Sequence, residues 1–123
     1  MLIQQDWLMR QIEMLISFII RLFTTELSNE SSSVQLEQEL ASLLQNGQLG
    51  KAEDLLFERL DPDDKSVLIV ALNFYKQANA LTDAQLKAQN FTREELLEGL
   101  KQAAGYYGLC LPGFLSNFSP SDL

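Results

Sequence analysis

The sequence predicts an all-α fold: one long N-terminal amphipathic helix followed by a compact bundle of four to five shorter helices. Two kinds of observation lead there. Apolar residues recur at steps of three and four through most of the chain, the period of helices that turn one face to a core. Between these runs stand helix-start and helix-stop signals, among them Asn46-Gly47, Asp61-Pro62, Thr82 and Thr92. With 123 residues, 46% of them hydrophobic, the chain fits a single domain with a modest core.

Residues 1–27 have the widest apolar face. On a helix, Asp6, Arg10, Glu13, Ser17, Arg21, Thr24 and Ser28 line up as one narrow polar stripe. One apolar seam runs through Leu8, Ile12, Leu15, Ile19 and Leu22, and a second through Ile16, Ile20, Phe23 and Leu27. Together they exceed the roughly 100° arc of an ordinary surface helix, so the helix calls for cover from two sides. At ~1.5 Å per residue it would be about 40 Å long, more than one small domain readily covers, which points to a second chain. Trp7 at its head is an aromatic of the kind enriched at interface centres. The candidate interface is therefore Trp7, Leu8, Ile12, Leu15, Ile16, Ile19, Ile20, Leu22 and Phe23.

Neither a membrane span nor a signal peptide fits this stretch. The longest uncharged run, residues 14–20, falls short of the ~18–20 apolar residues that a span needs. A signal peptide carries Lys or Arg ahead of its apolar core and small residues after it. Here Asp6 precedes the core and Arg21-Leu22-Phe23 follows. A peripheral helix lying on a membrane surface is the alternative use of the same seams. The mixed-sign stripe and the net charge of −8 count against it, because anionic headgroups repel such a chain.

The remaining elements follow in order. Residues 28–33 read as a turn, with Ser32 and Gln35 placed as a capping box for the next helix. Leu36, Leu40, Leu43 and Leu44 give that helix its stripe, and Asn46-Gly47 supplies the left-handed residue that ends it. The period resumes at Ala52, Leu55, Leu56 and Leu60, and so short a connection makes the two helices an antiparallel hairpin. Asp61 as N-cap and Pro62 as first helical residue then open a helix whose band of Val67, Leu68, Val70, Ala71, Leu72, Phe74, Tyr75 and Ala78 marks it as the most buried. Thr82 with Gln85 and Thr92 with Glu95 are two further capping boxes. The first opens only a turn or two; the second opens a helix carrying Leu96, Leu97, Leu100, Ala103, Ala104 and Tyr107, which Gly105 or Gly108 ends. Residues 109–123 hold Leu111, Phe114, Leu115 and Phe118 without periodicity, an apolar tail that is docked or partly disordered.

Residues 36–64 resemble a tetratricopeptide-type helical hairpin, with the Asn-Gly turn, Ala52 at the small packing position, Leu56 one turn on and the Asp61-Pro62 exit. No second copy follows at the expected period, so the hairpin stands alone. The whole chain is similar to a family of small uncharacterised bacterial proteins, known as a domain of unknown function. The residues that carry this likeness are Gln5-Asp6-Trp7-Leu8-Met9-Arg10-Gln11-Ile12, Asn90-Phe91-Thr92-Arg93-Glu94-Glu95 and Tyr106-Tyr107-Gly108. The resemblance implies an all-helical bacterial cytoplasmic protein and implies no activity.

The composition points away from several chemistries. Nine Lys and Arg against 17 Asp and Glu would repel a nucleic-acid backbone, so no nucleic-acid partner is expected. Histidine is absent, which removes the usual general base and the commonest transition-metal ligand. The carboxylates Glu37, Glu39, Glu53, Asp54, Glu58, Glu94, Glu95 and Glu98 read as solvated faces, since the usual di-iron pattern needs His. The acids at 61–64 lack the alternation, Gly and distal Glu of a calcium loop. Gly47-Gln48-Leu49-Gly50-Lys51 lacks the hydroxyl residue and preceding strand of a phosphate loop. Cys110, the lone cysteine, sits between Leu109 and Leu111 and reads as an inert buried thiol, with a reducing cytoplasm as the expected compartment.

The expectation is a non-enzymatic protein-interaction or assembly module without a cofactor, associating with itself or another protein through its N-terminal helix. A peripheral membrane protein and a small-ligand-binding helical domain are the alternatives. The organisation is residues 1–27 as packing and oligomerisation helix, 28–33 as turn, 34–108 as helical domain and 109–123 as tail.

Overall fold

A computed structural model describes residues 2–23 and 33–108, without the side chains of 2–6. Among the described residues six helices follow one another: α1 (Leu2–Leu22), α2 (Val34–Gln45), α3 (Leu49–Arg59), α4 (Lys65–Asn79), α5 (Asp83–Ala88) and α6 (Arg93–Tyr106). No strand occurs among the described residues. The all-α expectation holds, with five shorter helices after the long one among the described residues.

Helix α4 is the hub, packed against α1, α2, α3 and α6. The band read from the sequence is buried along its whole length, from Val67 to Ala78, and Asn79 joins it. The second large contact of α1 is with α6, so α1 lies over the seam between α4 and α6. This arrangement accounts for the breadth of its apolar arc. One of its two seams was expected to pack on the chain's own helices and the other to be left for a partner; two helices of the same chain cover Leu8, Ile12, Leu15 and Ile19 of the first seam and Ile16 of the second. At ~1.5 Å per residue the 21 residues of α1 span about 32 Å, shorter than the 27-residue reading. Thr24, Leu27, the turn at 28–32 and the tail from 109, Cys110 included, lie outside the described residues.

Local signals explain most helix ends. Gly47, at φ +73°, closes α2: the Gln48 N–H donates to the Leu43 carbonyl at 2.8 Å and the Gly47 N–H to that of Leu44 at 3.1 Å. This double bond satisfies carbonyls that a helix end would otherwise leave orphaned. The hairpin of α2 and α3 forms as expected from the three-residue connection. Both threonine capping boxes are present, and Gly108, at φ +77°, follows the end of α6.

Two starts differ from the sequence reading. Ser33, rather than Ser32, precedes α2, and its side chain caps nothing. Asp64, rather than Asp61, caps α4, accepting from the Ser66 N–H at 3.0 Å. Asp61 instead accepts from the Asp63 N–H at 2.9 Å, which builds a turn and delays the helix by three residues. Four consecutive candidates of Asp and Pro type compete here, and the turn-forming side chain of Asp61 wins the first place.

Candidate interaction surface

The nine residues picked as an interface divide sharply. Leu8, Ile12, Leu15, Ile16 and Ile19 are buried among α1, α4 and α6, and Phe23 is half-buried against the same core. Those five cannot meet a partner while the bundle is closed. Trp7, Ile20 and Leu22 remain on the surface, at 37%, 47% and 49% exposure, and Met14 joins them at 49%. Of the large hydrophobics exposed among the described residues, only Val34 and Tyr106 lie off α1. The polar stripe of Arg10, Glu13, Ser17 and Arg21 is exposed as expected.

Trp7, Met14 and Leu22 share one flank of this stripe, and on its other flank, where Ile20 lies, a groove of about 490 Å³ runs between α1 and α4. Met9, Ile16, Ile20 and Leu72 give it an apolar lining, with Glu13 and Lys76 adding one charge of each sign. Asn79 closes one end by donating to the Met9 carbonyl at 3.1 Å, which ties α1 to α4.

Asn79 is held in turn by Arg93, a residue the sequence reading passed over. Arg93 is only 2% exposed. Its guanidinium donates to the Asn79 carbonyl at 2.7 Å and side chain at 3.0 Å, and to the Leu81 carbonyl and the Asp83 carboxylate, both at 2.8 Å. Planar guanidinium geometry suits this collection of acceptors at the end of α4 and the start of α5. The signal was present: Arg93 stands three and seven residues before Leu96 and Leu100, on the core stripe of α6. Gln11 is also buried, at 5% exposure, with its side-chain oxygen unpartnered among the described residues.

A second concavity, of about 800 Å³, lies between α3 and α6. Its walls carry Glu53, Asp54 and Glu58 on α3 and Glu95 and Glu98 on α6, with Phe57 and Phe91 between them and no cationic side chain in the lining. At its base Tyr75, fully buried on α4, donates to the Glu53 carboxylate at 2.5 Å. Burial pushes the Glu53 carboxyl above its ordinary range; the Tyr75 hydrogen bond opposes this, and the charges of Asp54 and Glu95 add to it. Burial, with Glu53's charge and hydrogen bond behind it, holds the Tyr75 hydroxyl protonated far above the usual tyrosine range. Gly99 backs the pair, and a Cβ there would overlap both the Glu53 carboxylate and the Tyr75 hydroxyl. Glu53, expected on a solvated face, is instead half-buried and hydrogen-bonded.

The described residues thus form an all-α bundle with buried, hydrogen-bonded polar groups and a surface that offers an apolar edge and an acidic cleft. Among them no group of three or more His, Cys, Asp or Glu could hold a metal ion, and no helix is long and apolar enough to cross a membrane. The chain belongs to a family of unknown function, DUF6483, whose model matches residues 2–108. No curated protein and no solved structure matches it.

Proposed function

We propose that the chain is a non-enzymatic assembly module that pairs with a second copy of itself through the outer edge of α1. The observation that carries this reading is the exposed apolar surface of Trp7, Met14 and Leu22, which share one flank of the polar stripe of α1. Apolar surface gathered on one element is what association removes from water, at about 25 cal/mol per Å². The polar stripe along the same helix provides both signs of charge to set the register of a pair. The likeness of α2 and α3 to a tetratricopeptide hairpin, and the bacterial cytoplasmic setting implied by the family resemblance, agree with such a role.

Deleting α1 is no test, because Ile12, Leu15 and Ile19 belong to the core and the remainder would lose its packing. Light scattering on the full chain is the direct experiment, with a mass above that of one chain as the expected result. Flotation with anionic and neutral vesicles separates the membrane alternative, for which recovery with lipid is required.

A further inference from the structure

We propose that residues 109–123 fold back onto the chain's own α1 and seat along the flank of Trp7, Gln11, Met14 and Leu22, which recur at helical spacing as one line. Helix α1 lies over the seam between α4 and α6, and its Ile20 flank borders the groove with α4. The Trp7 flank is therefore the one on the side of α6, from which the segment leaves. Contacts fix both ends of α6. Arg93, its first residue, bonds Asn79, which in turn bonds Met9 on α1. Past its last turn, the Tyr107 hydroxyl donates to the Asp64 carbonyl at 2.9 Å, at the start of α4. From Met9, α1 runs back along α4, sharing the groove as far as Ile20 and Leu72. Helices α1 and α6 thus run side by side in one direction, and Gly108, at φ +77°, turns the chain out of the α6 axis at the Leu22 end of the flank. From Leu22 to Trp7 is about 22 Å along the helix. Fully extended, residues 109–123 reach about 50 Å.

The chemistry of the two surfaces agrees. Met14 and Leu22 on the flank are exposed, and the segment brings Leu109, Leu111, Phe114, Leu115 and Phe118, so each removes apolar surface of the other from water. Between the exposed residues Gln11 is only 5% exposed, and its side-chain oxygen has no donor among the described residues. A buried acceptor in that position carries a desolvation penalty that a donor removes, and an extended segment presents backbone N–H groups. Pro112 and Pro120 favour such an extended path over a helix. Arg10 and Arg21 border this flank, while Glu13 stands toward Ile20, and the one charged side chain of the segment is Asp122. A second copy meets the same edge by displacing the segment, so seat and pairing are separate contacts with separate tests.

Trp7 is the chain's one tryptophan, so acrylamide quenching of its fluorescence reads this flank alone. The full chain is compared with its Phe114→Ser, Phe118→Ser variant at submicromolar concentration, below the range of pairing. Quenching is expected to rise at least about twofold in the variant, with unchanged helical circular dichroism, as the population moves from seated to free. A segment tethered to its own chain keeps its effective concentration on dilution, so the shielding of the unsubstituted chain is expected to persist from micromolar to submicromolar. Equal quenching of the two chains overturns the seat, and shielding lost on dilution assigns the cover to a second copy and overturns it too. A chain that sediments as a monomer throughout refutes pairing without altering this contrast. Should the variant fail to fold, amide exchange of residues 109–118 at the same concentration decides. Protection at least about tenfold over the unstructured rate is expected in the unsubstituted chain, and its loss in the Met14→Glu, Leu22→Glu variant. The unstructured rate in the former, or protection untouched by those charges, overturns the seat.

Discussion

Arg93 makes four hydrogen bonds from a position that is almost closed to water, and three of its acceptors are groups at the end of α4 and the loop beyond it. Replacing it with Met keeps the volume and orphans those acceptors. The loss is expected to be about 2–4 kcal/mol in urea unfolding, since each abandoned buried acceptor carries its desolvation penalty. A loss under about 0.5 kcal/mol, the scale of a surface substitution, would show that water replaces the guanidinium. Gly99→Ala probes the opposite fault, excess volume. Its Cβ overlaps the Glu53 carboxylate and the hydroxyl of the fully buried Tyr75, so a destabilisation of about 1–3 kcal/mol is expected in a thermal melt. Unchanged stability would mean that the pair shifts freely. Neither residue announced itself, because a charged residue after a helix cap and a glycine within a helix are both commonplace. Their shared clue is the 93, 96, 100, 103 stripe: Arg93 is on it, and Gly99 is beside it.

At the scale of elements, the helix boundaries divide into those set by their own residues and those set by distant ones. The capping boxes at Thr82 and Thr92 and the left-handed Gly47 are local, and the sequence displays them openly. The start of α3 is different. The Leu49 N–H, exposed by the helix start, donates to the side chain of Gln89 at 2.8 Å, forty residues away. No spacing rule reveals such a cap, because only the folded arrangement brings the loop after α5 to that place. Gln89→Ala is expected to destabilise the chain by about 0.5–2 kcal/mol, the range of a lost N-cap, with faster amide exchange confined to the first turn of α3. Uniform exchange with no local change would assign Gln89 no capping role. The slip from Asp61 to Asp64 has the converse origin, with too many competent residues standing side by side.

For the whole molecule, the fold class, the helix order and the central place of α4 were legible because the apolar stripes of separate helices are periodic and well punctuated. The fate of α1 was legible only in part. Its arc width correctly demanded cover from two sides, but periodicity does not say which chain supplies it, and α4 with α6 takes up most of the arc. What remains is the outer edge, where Met14 and Leu22 each keep 49% of their surface. The central proposal, pairing of two copies through that edge, is tested most directly by sedimentation velocity of the full chain beside its Met14→Glu, Leu22→Glu double variant. The unsubstituted chain is expected to sediment as an assembly at micromolar concentration, and the variant as a monomer with the same helical circular dichroism. A monomer in both samples, or an assembly that survives both charges, would contradict it.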